Sequence, residues 1–204
     1  MTEQHSAKRL RLYLLRHGKA DGMEAGRLFG RTDVPLSEIG LGQSRLLAEK
    51  LSGVPLQAIY SSDLSRAGET AKIIAERHSL QVQRDPVWRE IDMGSWEGRS
   101  LSELYDTDRS SVTKLFDDPG SFQYPEGESF HAFTDRIKTQ VDHLIAAHPD
   151  GDIALVTHAG VIRTIVGTVL EMPMHTWLRV ALGYGCVNIV DWYEATPSLE
   201  LLNG

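Results

Sequence analysis

The sequence contains only one cysteine among its 204 residues, Cys186. A single cysteine cannot form an internal disulfide framework or a cysteine-based zinc site. Long apolar runs are also missing: residues 1–9 are polar, and no later stretch is long enough for a signal peptide or a membrane span. We therefore expect a cytoplasmic protein that has no membrane partner.

The sequence has fewer positively charged than negatively charged residues. Lys and Arg total 21 against 28 Asp and Glu, so the formal net charge is −7. A general nucleic-acid-binding protein would show a basic face, and we expect no nucleic-acid partner. An anionic small molecule is still compatible with this balance, because a few arginines in a cleft create a local positive potential.

The chain lacks internal repeats and low-complexity linkers, and its length suits one domain. Short apolar runs alternate with helical patterns, which predicts an α/β protein with a mainly parallel sheet covered on both faces. Predicted strands lie at 10–15, 57–60, 80–85, 152–157 and 187–193. Predicted helices lie at 38–51, 64–78, 100–116, 128–147 and 160–171.

Two further expectations concern these helices. Ser37 should cap the helix at 38–51. The buried side of that helix is predicted to consist of apolar residues: Ile39, Leu46, Leu47 and Leu51. The polar helices within about 100–147 are predicted to form a helical insertion over one end of the sheet, inside a single domain that spans 1–204.

Charged side chains follow three of the predicted strands. Arg16 and His17 come after the first strand, Arg66 follows the second, and His158 follows the strand at 152–157. Ligands of open α/β sheets bind at the carboxyl ends of strands. We therefore expect these four side chains to meet at one site.

Two arginines and two histidines at one point favour a phosphate site. Guanidinium groups match phosphate oxygens with paired hydrogen bonds, and a neutral imidazole can attack phosphorus. The histidines could instead ligate a metal, but neighbouring arginines would repel a divalent cation and no carboxylate accompanies either histidine at ligand spacing. We expect neither a metal nor another cofactor.

Cleavage of a phosphate ester also requires a proton for the leaving oxygen, so a carboxylic acid is expected nearby. The segment WREIDMGSWEG at 88–98 offers Glu90 and Asp92 at the end of an apparent strand, and Glu97 further on. Spacing alone does not choose among the three acids.

Five segments together resemble a known family. LLRHG, SSDLSRAGETA, WREIDMGSWEG, PEGES and VTHAGVIR occur in this order over residues 10–166. In this order they resemble the histidine phosphatase superfamily, also called phosphoglycerate-mutase-like. The resemblance implies a three-layer α/β/α sandwich with a helical insertion over the active site.

The resemblance also implies roles for individual residues. His17, the histidine of RHG, would become phosphorylated. Arg16, Arg66 and His158 would hold the phosphate, with His158 counted in the catalytic set. Glu90 would be the proton donor, which selects it over the two other acids.

The match has one departure, next to the first histidine. Many relatives follow RHG with Glu-Thr or Glu-Ser and place an asparagine six residues beyond the histidine. Here Lys19 and Ala20 follow, and the sixth position is Met23. The phosphate pocket is therefore expected to lack one side-chain donor, and no family role is transferred to residues 19–24.

Within the superfamily, the segments most resemble α-ribazole-5′-phosphate phosphatases of cobalamin biosynthesis, and broad-specificity phosphatases share them. Mutases of the family usually carry a longer insertion between the acid and the second histidine, which here are 68 positions apart. Arg31, Thr32 and Ser129 are predicted to contact the substrate.

Three functional hypotheses follow. The first is a metal-independent phosphomonoesterase that acts on α-ribazole 5′-phosphate or on a range of small phosphorylated metabolites. The second is a phosphoglycerate mutase-type phosphotransferase. The third is a weakly active regulatory module that binds phosphorylated ligands. A small phosphorylated metabolite is the expected partner in each case, and the protein could be a monomer or a homodimer.

Overall fold

The computed structural model describes residues 10–23, 26–193 and 196–204. Residues 1–9, in which the sequence predicts no signal peptide, lie outside this part. The described chain folds around one sheet of six strands: β1 (Leu10–Arg16), β2 (Leu56–Ser61), β3 (Val82–Arg84), β4 (Asp152–Thr157), β5 (Val187–Trp192) and β6 (Pro197–Leu201).

The strand order is β3-β2-β4-β1-β5-β6. Strands β1 to β4 are parallel to their neighbours in this group, whereas β5 and β6 join antiparallel at one edge. The predicted mainly parallel α/β sheet is confirmed. Strand β6 was not predicted, because PSLEL lacks the apolar run that marked the buried strands.

Six α-helices accompany the sheet within the described residues: α1 (Glu38–Leu51), α2 (Ser65–His78), α3 (Leu101–Thr107), α4 (Arg109–Asp117), α5 (Phe130–Ala147) and α6 (Ala159–Val169). The helix predicted at 100–116 is in fact two. Asp108 divides them, because its non-helical backbone ends α3 and its carboxylate accepts the Ser111 N–H at the start of α4.

The helices form a layer on each face of the sheet. Side chains alternate along a strand, and in β1 Leu12 and Leu14 pack into one core cluster while Tyr13 and Leu15 pack into the other. The first cluster includes α5 and α6, and the second includes α1 and α2. The predicted three-layer arrangement is confirmed, whereas a single domain with an insertion at about 100–147 stays a prediction.

Helix α1 has its predicted bounds, and the Ser37 hydroxyl accepts the Gly40 N–H at 3.1 Å as its cap. The prediction of its buried face was partly wrong, since Ile39 and Leu46 are 61% and 60% exposed. The face on the protein carries Gly40, Ser44, Leu47, Ala48 and Leu51. The end of this face near Gly40 carries small residues because a close contact with the first βα loop leaves no room there for larger side chains.

In the described chain, no helix is both long and apolar enough to cross a membrane.

Candidate active site

The two histidines lie at adjacent strand ends. Strands β1 and β4 are parallel neighbours, and Arg16 is in register with Thr157. His17 directly follows β1, and His158 directly follows β4. The His17 N–H donates to the Thr157 carbonyl at 3.1 Å. Their ring centroids are 5.0 Å apart. Strand register alone brings these two imidazoles together.

The His17 ring is buried and oriented by one hydrogen bond. Its Nδ1 lies 2.7 Å from the Gly18 carbonyl oxygen, which can only accept, so Nδ1 carries the proton. In the neutral ring, Nε2 then has a free lone pair. Burial, followed by the positive charges of Arg66 and Arg16, lowers the His17 pKa well below its ordinary value. His17 is thus an uncharged imidazole whose Nε2 lone pair is free.

The His158 ring lies against the Ser62 hydroxyl. Its Nε2 is 2.9 Å from that oxygen, which also accepts the Leu64 N–H at 3.3 Å. When the Ser62 hydroxyl donates its proton to Nε2, the ring proton of His158 is on Nδ1, the same tautomer as in His17. Burial, then Arg66 and His17, lower the pKa of His158 well below its ordinary value.

Arg66 is fully buried at the start of α2. Its two terminal nitrogens donate to the carbonyls of Thr32 and Gly30 at 2.8 and 2.7 Å. An arginine on a solvated helix face would instead pair with a nearby acid such as Glu69. The loop around residue 30 thus holds the guanidinium toward the strand ends.

Arg16 is held by the segment that precedes β5. Its Nη1 donates to the Leu182 carbonyl at 2.6 Å, and its guanidinium carbon lies 3.9 Å from the centre of the Tyr184 ring. The same Tyr184 ring lies 5.8 Å from the His17 ring. Sequence reasoning missed Tyr184, although the turn at Gly185, with φ of 68°, leads directly into a strand next to β1.

Three buried nitrogens at this place find no hydrogen-bond partner among the described residues: Arg16 Nε, Arg66 Nε and His158 Nδ1. A buried donor without a partner is costly, and native proteins rarely leave one without a reason. Both arginine charges act on His17 and on His158. The arrangement is suited to binding an anion next to the His17 imidazole.

Glu90 is the acid that lies beside the histidines. The sequence suggested a strand before this acid, and that expectation was wrong. The segment forms a 3₁₀ turn at Pro86–Trp88 followed by irregular chain. The carboxylate accepts the Gly160 N–H at 2.8 Å on Oε2 and the Ile91 N–H at 3.0 Å on Oε1. Gly160 is the second residue of α6, two positions after His158, and a methyl group at this position would overlap the Glu90 carboxylate.

The two other acids have structural partners. Asp92 accepts the Gly94 N–H at 3.0 Å. Glu97 accepts the backbone N–H groups of Gly30, Arg31 and Thr32 and the Thr32 hydroxyl. Glu97 therefore shapes the loop whose carbonyls hold Arg66.

The predicted substrate-contacting residues also have partners within the protein. Arg31 lies 3.4 Å from both Asp92 and Glu128. The Thr32 hydroxyl donates to Glu97 at 2.7 Å, and the Ser129 hydroxyl caps α5 by accepting the Ala132 N–H. Their contact with a substrate stays a prediction.

Lys19 and Met23, at which the chain departs from the family pattern, have different environments. The Lys19 backbone joins the first βα loop to α1, since its N–H donates to Gln43 and its carbonyl accepts from Ser37. Met23 is buried, with its sulfur 3.7 Å from the Tyr184 hydroxyl. The sixth position after His17 therefore supplies a thioether where many relatives have an amide.

Sequence reasoning also missed Arg163, five positions after His158. Its Nε donates to the Val180 carbonyl at 2.9 Å, and its charge interacts with Glu90.

As for metals, the described residues include no group of three His, Cys, Asp or Glu side chains that could hold an ion.

Comparisons with known proteins agree with this geometry. The "Adenosylcobalamin/alpha-ribazole phosphatase" of Salmonella typhimurium is 30% identical over 194 residues, which cover 95% of this chain and 96% of that protein. The "Probable phosphoglycerate mutase GpmB" of Yersinia pestis is 32% identical over 186 residues, covering 91% and 86%.

A solved structure shows the same fold. The mycobacterial glucosyl-3-phosphoglycerate phosphatase is 28% identical and superposes with a TM-score of 0.86, over 96% of this chain and 99% of that one. The family model described as "Histidine phosphatase superfamily (branch 1)" matches residues 12–204. With both histidines at paired strand ends and this match over nearly its whole length, the chain belongs to the histidine phosphatase superfamily.

Proposed function

We propose that this histidine phosphatase hydrolyses phosphate monoesters of small metabolites without a metal ion, by way of a phosphate carried on His17. One observation carries the proposal. The neutral His17 imidazole, with Nε2 unprotonated, lies beside three buried nitrogens that find no partner in the described chain, two of them arginine N–H donors. A phosphoryl group satisfies these donors and presents phosphorus to the nucleophile.

In the first half-reaction, the Arg16 and Arg66 guanidinium groups and His158 Nδ1–H bind the phosphoryl oxygens. His17 Nε2 attacks phosphorus, and the bond from phosphorus to the ester oxygen breaks. Glu90, in its protonated form, donates a proton to that oxygen, so the product leaves as an alcohol. The enzyme then carries phosphate on His17.

In the second half-reaction, water attacks the phosphorus of phosphohistidine and the bond to Nε2 breaks. The Glu90 carboxylate accepts a proton from this water, which restores its acid form. Inorganic phosphate leaves the site. The arginines neutralise charge on the phosphoryl oxygens throughout, and because they are held by backbone carbonyls they need little reorganisation during the reaction.

For the substrate, we propose α-ribazole 5′-phosphate, with a broader set of small phosphate esters as the alternative. The Salmonella typhimurium relative, named as an α-ribazole phosphatase, supports this choice because it aligns over 95% of the chain. A mutase activity is the second candidate, and the 32% identity to the Yersinia pestis protein favours it.

The covalent intermediate is tested by mass spectrometry of the intact protein during turnover. The reaction is quenched in alkaline denaturant, because phosphohistidine is labile in acid. We expect one added phosphate on the wild type and none on His17→Ala, with turnover lost. His143→Ala, at an exposed histidine on α5, is the matched control and should retain the label. A fully active His17→Ala variant would contradict the mechanism.

The substrate is tested with a panel of α-ribazole phosphate, phosphoserine, phosphoglycerate and an aryl phosphate. We expect the highest kcat/KM on α-ribazole phosphate. Similar values across the panel would indicate a broad-specificity phosphatase. Interconversion of phosphoglycerates faster than phosphate release would identify a mutase.

A further inference from the structure

Arg136 on α5 lies outside the set of residues assigned above, and its guanidinium contacts the chain that carries Glu90. Nη1 donates to the Val87 carbonyl at 2.5 Å, and Nη2 lies 3.0 and 3.2 Å from the carbonyls of Arg89 and Glu90. We propose that Arg136, oriented by Glu128, is a positioning residue that places the Glu90 carboxyl for proton transfer.

The chain around Glu90 needs such a support. It is irregular after the 3₁₀ turn at Pro86–Trp88, so strand pairing does not fix its carbonyl groups. One planar guanidinium instead binds three carbonyls within four residues. Because it includes the Glu90 carbonyl itself, it sets the direction in which the Glu90 side chain leaves the backbone.

Glu128 holds the guanidinium in place. Its Oε1 accepts from Arg136 Nε at 2.8 Å, and its Oε2 accepts from Nη2 at 3.1 Å, which is a two-point ion pair. Both side chains are largely buried, at 19% and 13% exposure. The backbone of Glu128 also donates to the Asp92 carbonyl at 2.9 Å. The pair therefore supports the segment on both sides of Glu90.

This arrangement predicts a specific kinetic signature. Proton donation matters for an alkoxide leaving group and matters little for an activated aryl oxide. A residue that acts through Glu90 must therefore affect alkyl phosphates more than aryl phosphates. Arg136→Lys keeps the positive charge that acts on His158, but an ammonium group cannot reproduce the planar fork.

The inference rests on the proposed function, so the experiment includes Glu90→Gln. The wild type, Glu90→Gln, Arg136→Lys and the double variant are compared on an alkyl and an aryl phosphate. General-acid catalysis contributes roughly 10²–10⁴-fold, and Glu90→Gln should lose about that factor in kcat on the alkyl ester. Arg136→Lys should lose about 10²-fold there, since misplacement by 1 Å can cost that much.

On the aryl ester, both single variants should lose clearly less. In the Glu90→Gln background, Arg136→Lys should add little further loss on the alkyl ester, because the proton donor is already removed. Arg45→Lys, at an exposed arginine on α1, is the control for an arginine-to-lysine change. If Arg136→Lys does not fold, Glu128→Gln is used instead, because it removes the charged partner of the Arg136 guanidinium. We expect the same larger loss of kcat on the alkyl ester than on the aryl ester.

The outcomes distinguish failure of the positioning role of Arg136 from failure of the proposed function. Three results would overturn the positioning role while leaving Glu90 as the acid. Arg136→Lys could lower kcat equally on both esters, it could leave kcat unchanged, or it could cause its full loss of kcat again in the double variant. Equal losses of Glu90→Gln on both esters would instead remove the proton-donor role, and the inference with it.

Discussion

At the scale of single residues, the site depends on two imidazoles that stay uncharged beside two arginines. His17 and His158 are almost fully buried, and each ring is oriented by one hydrogen bond, which for His17 fixes the proton on Nδ1. Desolvation is the largest cause of their lowered pKa values, and the Arg66 charge adds to it. The arginines that we propose bind the substrate phosphate thus also help to keep the His17 imidazole uncharged.

A dependence of stability on pH follows. The unfolded chain takes up protons on these histidines near their ordinary pKa of 6.5, whereas the folded rings stay neutral well below it. Because the unfolded state binds more protons, stability must fall as the pH decreases below 6.5. We expect the Tm in phosphate-free buffer to fall between pH 7 and pH 5.

The variant His17→Gln tests the source of this effect. One pH unit below 6.5, a single histidine accounts for about 1.4 kcal/mol, or roughly 3–6 °C in a chain of this size. The fall in Tm from pH 7 to pH 5.5 should be smaller by about that amount in His17→Gln. His143→Gln, at an exposed position, should follow the wild type. Parallel curves for His17→Gln and the wild type would contradict this account.

At the scale of elements, helix α1 shows how packing distance selects the buried face. A methyl group on Gly18 in the first βα loop would overlap the Gly40 backbone in α1, and a methyl group on Gly40 would overlap the Lys19 backbone. The Ser44 hydroxyl lies 3.0 Å from the Thr70 hydroxyl on α2. Small residues therefore occupy the point of close approach, Leu47 and Leu51 pack into the core further along the helix, and Ile39 and Leu46 face solvent.

Two adjacent leucines on α1 provide a direct test. Leu47 is 1% exposed and Leu46 is 60% exposed. Leu47→Ala should lower the free energy of unfolding by about 2–5 kcal/mol, because it leaves a cavity in the core. Leu46→Ala should change it by no more than about 0.5 kcal/mol. Urea denaturation measures both, and similar losses would show that Leu46 is covered in solution.

At the scale of the whole molecule, an acidic protein builds a local anion site. The net charge is −7, yet Arg16, Arg66 and Arg163 act within one buried region beside His17 and Glu90. Burial strengthens their effect, because water does not screen them as it screens surface charges. Fixed guanidinium groups can thus supply the charge neutralisation that a divalent ion supplies in other phosphoryl-transfer enzymes.

Activity should accordingly be independent of metal ions. Extended treatment with a chelator should leave kcat and KM for an alkyl phosphate unchanged, and addition of zinc, manganese or magnesium should not increase them. Loss of activity on chelation, followed by recovery with one of these ions, would show that a metal takes part and would overturn the proposed mechanism.

Several features could be predicted from the sequence because they depend on local patterns. The apolar runs of β1 and β4, the Ser37 cap and the order of the five segments needed no tertiary information. Since parallel strands end at the same edge of a sheet, the meeting of His17 and His158 also followed from the sequence once both strands were identified.

Other features depended on contacts between distant segments. The apparent strand before Glu90 is irregular chain held by Arg136, which lies 46 positions away. Tyr184 reaches Arg16 only because β5 pairs with β1. Neither contact has a signal in local periodicity.

The sequence by itself therefore determined most of the elements, the family and the set of candidate site residues, because hydrophobic periodicity, capping and motif order are properties of neighbouring residues. Only the tertiary structure decided how the Glu90 carboxylate contacts the start of α6, which ring nitrogen of His17 is free and which face of α1 is buried. These depend on hydrogen bonds and packing between residues far apart in the chain, and a hydrogen bond forms only when donor and acceptor come within about 3.2 Å.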